Sequence, residues 1–138
     1  MPTPFSGGCA CGAIRYECSA EPVTSINCHC RDCQRGSGSA YASALVVPAP
    51  AIRLLKGEPK YHTVTADSGH HVSRGFCANC GSPLLGKIAE EPDIMVIQAA
   101  SLDDPSWHSP TVEFFTASAQ PWDYMNPALP KHAKEPMP

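Results

Sequence analysis

Seven of the eight cysteines fall in three tight clusters: Cys9-Ala-Cys11-Gly12, Cys28-His29-Cys30-Arg31-Asp32-Cys33 and Cys77-Ala-Asn-Cys80-Gly81, with Cys18 standing apart. Thiols at C-x-C and C-x-x-C spacing can pair as disulfides, cycle as a redox couple, or ligate a metal. An even count allows four disulfides, but such short spacings make a poor disulfide framework. No basic segment runs into an apolar stretch at the N-terminus, so no signal peptide is visible, and no run approaches the length of a membrane span. The expected compartment is therefore the cytoplasm, where thiols stay reduced. A redox pair accounts for one C-x-x-C, not for three clusters in one small chain. Metal ligation remains, and an all-thiolate ligand set points to zinc ahead of iron–sulfur.

Two clusters read as zinc knuckles, because Cys11 and Cys80 are each followed at once by glycine. A glycine there allows the positive φ that turns backbone N–H groups toward the sulfurs. Two knuckles supply four thiolates, the complement of a closed tetrahedral site that contributes folding energy. The remaining cluster offers Cys28, Cys30 and Cys33 and no glycine directly after it. Three protein ligands and an open fourth position are the signature of a catalytic zinc. Spacing alone leaves open an exchange of Cys28/Cys30 with Cys9/Cys11.

The elements that must position these cysteines are short. Pro (15) and Gly (10) break the 138-residue chain into pieces and argue against long helices. Ile14, Tyr16 and Cys18 alternate with Arg15 and Glu17 as in a half-buried strand. Further strands are expected at Tyr41–Val47, Ile52–Leu55, Tyr61–Thr65, His71–Phe76, Ile94–Gln98 and Val112–Phe115, separated by turn residues such as Asp67-Ser-Gly69. One short helical segment, His29–Arg35, follows the first cysteine pair and should stop at Gly36. The expected fold is all-β: two packed antiparallel sheets with zinc knuckles, in a single domain over 1–138. Its core is about 5–131 and its tail 132–138. With five prolines in 18 residues from Pro121, the C-terminal segment reads as extended, docked in part through Trp122 and frayed at its end.

Formal net charge is −3, and two zinc ions on seven thiolates would take it to about −6. No basic footprint for nucleic acid exists, and no membrane partner is expected. Arg31, Arg35 and Arg74 lie beside cysteine clusters and are candidates for holding an anionic substrate; offsetting thiolate charge is the competing role. The Gly36-Ser-Gly38-Ser39 loop offers backbone N–H groups, a weak signal. His29 lies between two ligands, and alternation in an extended C-x-C points it away from the metal, toward a supporting role. Cys18 shares the apolar face of Ile14 and Tyr16 and reads as a small buried hydrophobe. His62, His108 and His132 form no constellation, His70-His71 reads as a surface pair, and Trp107 and Trp122 read as packing.

Gly8-Cys9-Ala-Cys11-Gly12-Ala-Ile-Arg15-Tyr16, Cys28-His29-Cys30-Arg31-Asp32-Cys33-Gln34-Arg35 and Phe76-Cys77-Ala-Asn79-Cys80-Gly81-Ser82, with a late Pro121-Trp122, together resemble the glutathione-dependent formaldehyde-activating (GFA) family, which also includes proteins similar to centromere protein V. The resemblance runs from about Phe5 to Lys131. It implies a zinc-dependent β-fold of two packed sheets. It implies a structural zinc on Cys9, Cys11, Cys77 and Cys80 and a catalytic zinc on Cys28, Cys30 and Cys33, two zinc ions per chain. The activity it implies is that of a carbon–sulfur lyase or synthase joining glutathione to formaldehyde as S-hydroxymethylglutathione. The partners it implies are a small-molecule thiol and an aldehyde.

The leading functional expectation is thus an enzyme of this kind. Its rivals are a zinc module that binds a partner without catalysis, in which His29 or Cys18 closes the second site, and a thiol-based redox or metal sensor. Exposed β-edges also admit a homodimer.

Overall fold

The computed structural model describes residues 3–134. Ten short strands and one helix follow one another: β1 (Phe5–Gly8), β2 (Arg15–Cys18), β3 (Thr24–Cys28), α1 (Arg31–Ser37), β4 (Ala42–Pro48), β5 (Ile52–Lys56), β6 (Lys60–Thr65), β7 (His71–Phe76), β8 (Pro83–Ile88), β9 (Ile94–Gln98) and β10 (Val112–Phe114). They form a three-stranded sheet in the order β1-β2-β5 and a seven-stranded sheet in the order β10-β3-β4-β9-β8-β7-β6. The fold is mainly β, in two sheets, as expected.

The alternation in β2 buries Tyr16 and Cys18 and leaves Arg15 and Glu17 nearer solvent. Together with Phe5 and Ile14 these side chains meet Leu45, Val47, Leu84, Leu85 and Ile97 of the large sheet in one buried cluster. Each large aliphatic side chain buried there contributes about 1.5–3 kcal/mol of transfer free energy. Strand β4 sits inside the large sheet and is buried at Ala42, Ala44, Leu45 and Val47, which is why its sequence is almost continuously apolar.

Four details differ from the sequence expectation. The helix begins at Arg31 rather than His29, because Cys30 is its N-cap and accepts from the Cys33 N–H. Gly36 lies inside the helix, and the left-handed residue that ends it is Gly38, whose N–H bonds the Gln34 carbonyl. Strand β10 pairs with β3 in parallel, so the large sheet is not wholly antiparallel. Trp122 does not dock the tail: it is 70% exposed. The tail is held instead by backbone bonds beyond β10, from Glu113 N–H to the Pro130 carbonyl (2.9 Å), His132 N–H to the Glu113 carbonyl (2.9 Å) and Ala117 N–H to the Ala133 carbonyl (3.2 Å). These cover the outer edge of β10. The end of the tail, from residue 135, lies outside the described residues. Among the described residues no helix is long and apolar enough to cross a membrane.

Candidate metal centres and the adjoining cleft

The cysteines gather into two groups. The sulfurs of Cys9, Cys11, Cys77 and Cys80 lie within 4.8 Å of one another, and those of Cys28, Cys30 and Cys33 form a second group within the same limit. The folded chain therefore brings together the two distant knuckles, and the exchanged pairing does not occur. Cys18 joins neither group; it is fully buried and its thiol donates to the Ala20 carbonyl (3.4 Å).

The first group is built from two turns. Gly12 (φ 79°) and Gly81 (φ 80°) have the left-handed conformation that the knuckle requires. Ile14 N–H donates to Cys9 Sγ (3.3 Å) and Cys80 N–H to Cys77 Sγ (3.5 Å). Asn79 Nδ2 donates to Cys11 Sγ (3.3 Å), and Ser82 Oγ contacts Cys80 Sγ (3.1 Å) while accepting from the Ala10 N–H (3.0 Å). The Ser82 contact is the largest cause holding the Cys80 thiol down at about 5. Tetrahedral zinc–thiolate bonds of about 2.3 Å put sulfurs about 3.8 Å apart. The Cys9–Cys11 and Cys11–Cys77 separations are 3.6 and 3.8 Å. Donor type, spacing and N–H donors to sulfur all fit a metal ion of this kind.

The second group spans the end of β3 and the start of α1. Cys28 closes the strand, Cys30 caps the helix, and Cys33 lies in its first turn, so the strand-to-helix corner turns three sulfurs to one point. Among them the Cys30 thiol is lowered, first by hydrogen bonds from Cys28 and Cys33 and further by the Arg74 charge, whereas Cys28 is raised, first by its contact with Cys30. Arg74 Nη2 donates to Cys33 Sγ (3.5 Å). Among the described residues no fourth His, Cys, Asp or Glu ligand joins this group, and three sulfurs can hold a metal ion and leave a coordination position free.

His29 does not fill that position. It is fully buried, with Nε2 2.8 Å from Glu113 Oε1 and Nδ1 2.9 Å from Asp123 Oδ2. Gln34 Nε2 adds bonds to the His29 carbonyl (2.7 Å) and the Ser118 carbonyl (3.0 Å). The loop carrying the three cysteines is thus tied from behind to β10 and to the tail. The expectation that His29 points away and supports the site agrees with this, but sequence reasoning missed both of its carboxylate partners.

A cleft of about 250 Å³ opens beside Cys33, lined by Cys33, His62, Arg74, Phe76, Pro83 and Leu85 among others. Of the three candidate arginines only Arg74 lines it; Arg31 is exposed and bonds Gln34 Oε1, and Arg35 is exposed on the helix. Of the glycine-serine loop, Gly36 and Ser37 reach the cleft. His62 lines the cleft because it faces Arg74 across the β6–β7 ladder. The turn Asp67-Ser-Gly69 fixes that register, so it was the available signal. Elsewhere His71 pairs with Glu90 at the surface, His108 bonds Ser43 Oγ, His132 rests on the Phe114 ring, and Trp107 packs on Phe5.

Residues 4–118 match a family model described as glutathione-dependent formaldehyde-activating enzyme. A Penicillium rubens protein named "Putative glutathione-dependent formaldehyde-activating enzyme" is 27% identical over 128 residues, 84% of this chain and 66% of its own. A Phaeosphaeria nodorum protein of the same name is 26% identical over 122 residues, 83% of this chain and 63% of its own. The chain thus spans less than two thirds of the length of these relatives. Among solved structures, a Rhodobacter sphaeroides protein superposes with a TM-score of 0.56 at 21% identity, covering 72% of this chain and 88% of that one, a likeness of fold.

Proposed function

Because the chain belongs to the glutathione-dependent formaldehyde-activating enzyme family, we propose that it adds a thiol to a small aldehyde at the three-cysteine site and reverses the same reaction. The carrying observation is the cleft beside Cys33, which opens next to three convergent sulfurs with no fourth His, Cys, Asp or Glu ligand grouped with them among the described residues. In the reaction the S–H adds across the carbonyl. A carbon–sulfur bond forms, the carbonyl π bond becomes the new C–O–H, and the thiol proton ends on oxygen, with no net oxidation.

Cys28, Cys30 and Cys33 would hold a zinc ion, and Cys9, Cys11, Cys77 and Cys80 a second one whose role is structural. At the open site the metal's charge would favour the thiolate of an incoming thiol and draw electrons from a carbonyl oxygen. The chain's own residues supply the surroundings. Phe76, Pro83 and Leu85 form an apolar wall that displaces water from the reacting atoms. Arg74 donates to Cys33 Sγ and spreads part of the thiolate charge. His62 at the rim offers ring nitrogens for hydrogen bonding to a bound group. Reduced cysteines throughout suit a reducing compartment such as the cytoplasm.

A binding module without catalysis would use His29 or Cys18 to close the second site. Both are committed elsewhere, His29 to two carboxylates and Cys18 to the core, which favours the enzyme reading. The test is exchange NMR of glutathione and formaldehyde at equilibrium. Zinc-loaded protein should speed exchange with S-hydroxymethylglutathione, and Cys30→Ala should abolish the effect. Exchange no faster than in buffer would remove this pair of substrates.

A further inference from the structure

Arg74 is half-buried, and the only hydrogen bond its side chain makes among the described residues is to Cys33 Sγ. No carboxylate of the described residues lies within ion-pair distance of it; Asp32 acts on it only through longer-range charge. A guanidinium has five N–H donors; the charge beside it is that of the Cys33 and Cys30 sulfurs, and its bond to Cys33 Sγ uses one of those donors. The fold makes room for it. A Cβ at Gly36 would come within 3.2 Å of Arg74 Cδ and 3.5 Å of Nε, so the bare helix surface there lets the side chain lie against α1. The cleft it faces contains His62, its cross-strand neighbour, and no acidic side chain.

We infer that this cleft favours thiols that carry a carboxylate over thiols whose only charge is an ammonium group, with Arg74 reading the negative charge. The inference rests on the thiol–aldehyde reading above and narrows its substrate class. The sulfur would lie by the three cysteines and the carboxylate on the spare guanidinium donors, with His62 as a second donor at the rim. An amino group would find no carboxylate partner among the lining residues. At about 250 Å³ the cleft is smaller than the usual pockets for drug-sized ligands.

The experiment compares 3-mercaptopropionate, 2-mercaptoethanol and cysteamine, three thiols of similar size and different charge, by calorimetric titration of the zinc-loaded full chain. The anionic thiol should bind about tenfold or more tightly than the other two, the worth of one charge-assisted hydrogen bond, even though cysteamine is the more acidic thiol. Arg74→Met should bring the ratio of 3-mercaptopropionate to 2-mercaptoethanol affinity, measured in the same zinc-loaded variant, close to one, and Arg74→Lys should restore part of it. His62→Ala, at an exposed position, should reduce the preference without risk to the fold. Equal affinities for the three thiols, or an Arg74→Met protein weakened equally toward all of them, would overturn the selectivity and leave the thiol–aldehyde reading standing. Failure of every thiol to bind would overturn both.

Discussion

Cys28 and Cys30 flank a histidine whose two ring nitrogens both face buried carboxylates, and this arrangement is where single residues matter most. Glu113 is 1% exposed, so Glu113→Ala would strip His29 of a partner where water cannot replace it. Leaving a buried hydrogen-bonding group without its partner costs about 1–3 kcal/mol. Urea denaturation should show that loss, and an unchanged midpoint would mean the contact contributes nothing. A second prediction concerns pH. Burial raises Tyr16 to about 12 despite its bond to Ser101 Oγ, whereas an unfolded tyrosine titrates near 10. Its stabilising contribution is therefore complete below about pH 10 and is lost as pH rises through about 12, at most about 2.7 kcal/mol. Alkaline unfolding should be less steep in Tyr16→Phe over that window; an identical pH profile would contradict the assignment. At this scale the sequence was informative where chemistry is local. The cysteines declared themselves by spacing, but Glu113 and Asp123 lie 84 and 94 residues from His29, and nothing near them in the chain marks them as its partners.

Strand periodicity predicted β2, β4, β5, β6, β7, β9 and β10 to within one or two residues at their ends. It failed at β1 and β3 and at β8. Phe5-Ser-Gly-Gly holds two glycines, and Thr24-Ser-Ile-Asn-Cys has a single aliphatic residue, so neither carries an alternating apolar signal. Gly7 shows why β1 tolerates its composition. A Cβ there would fall 2.3 Å from Tyr16 Oη and 2.4 Å from the Ser101 carbonyl, so only glycine lets β1 lie flush against β2. The parallel direction of β10 was not legible in the sequence, because it is set by the route of the chain from β9, not by its three residues. The segment after β10 matters for the same reason. A chain ending at Ser118 would lose Asp123 from His29, Gln120 from Gln34 and the Pro130–Ala133 cover on β10. Its urea midpoint should fall, by an amount corresponding to several hydrogen bonds of about 1 kcal/mol each. A truncated chain as stable as the full one would show this segment to be a passive appendage.

Across the whole molecule, the four-cysteine group brings the turn between β1 and β2 against the turn between β7 and β8, so a metal ion held there would join the small sheet to the large one. A structural zinc in such a position supplies free energy comparable with or larger than the net stability of a small domain, about 5–15 kcal/mol. Cys80→Ala should therefore unfold the chain, as judged by circular dichroism, and a folded Cys80→Ala protein would contradict the structural role. The three-cysteine group lies where β3 runs into α1, and its loss is expected to remove a metal ion without unfolding the chain. The division between a closed and an open site is the central claim, and counting metal ions tests it most directly. Native mass spectrometry of the zinc-loaded protein should find two zinc ions per chain and, for Cys30→Ala, a folded chain holding one. A Cys30→Ala protein that retains both ions, or a wild-type chain that binds only one, would contradict it.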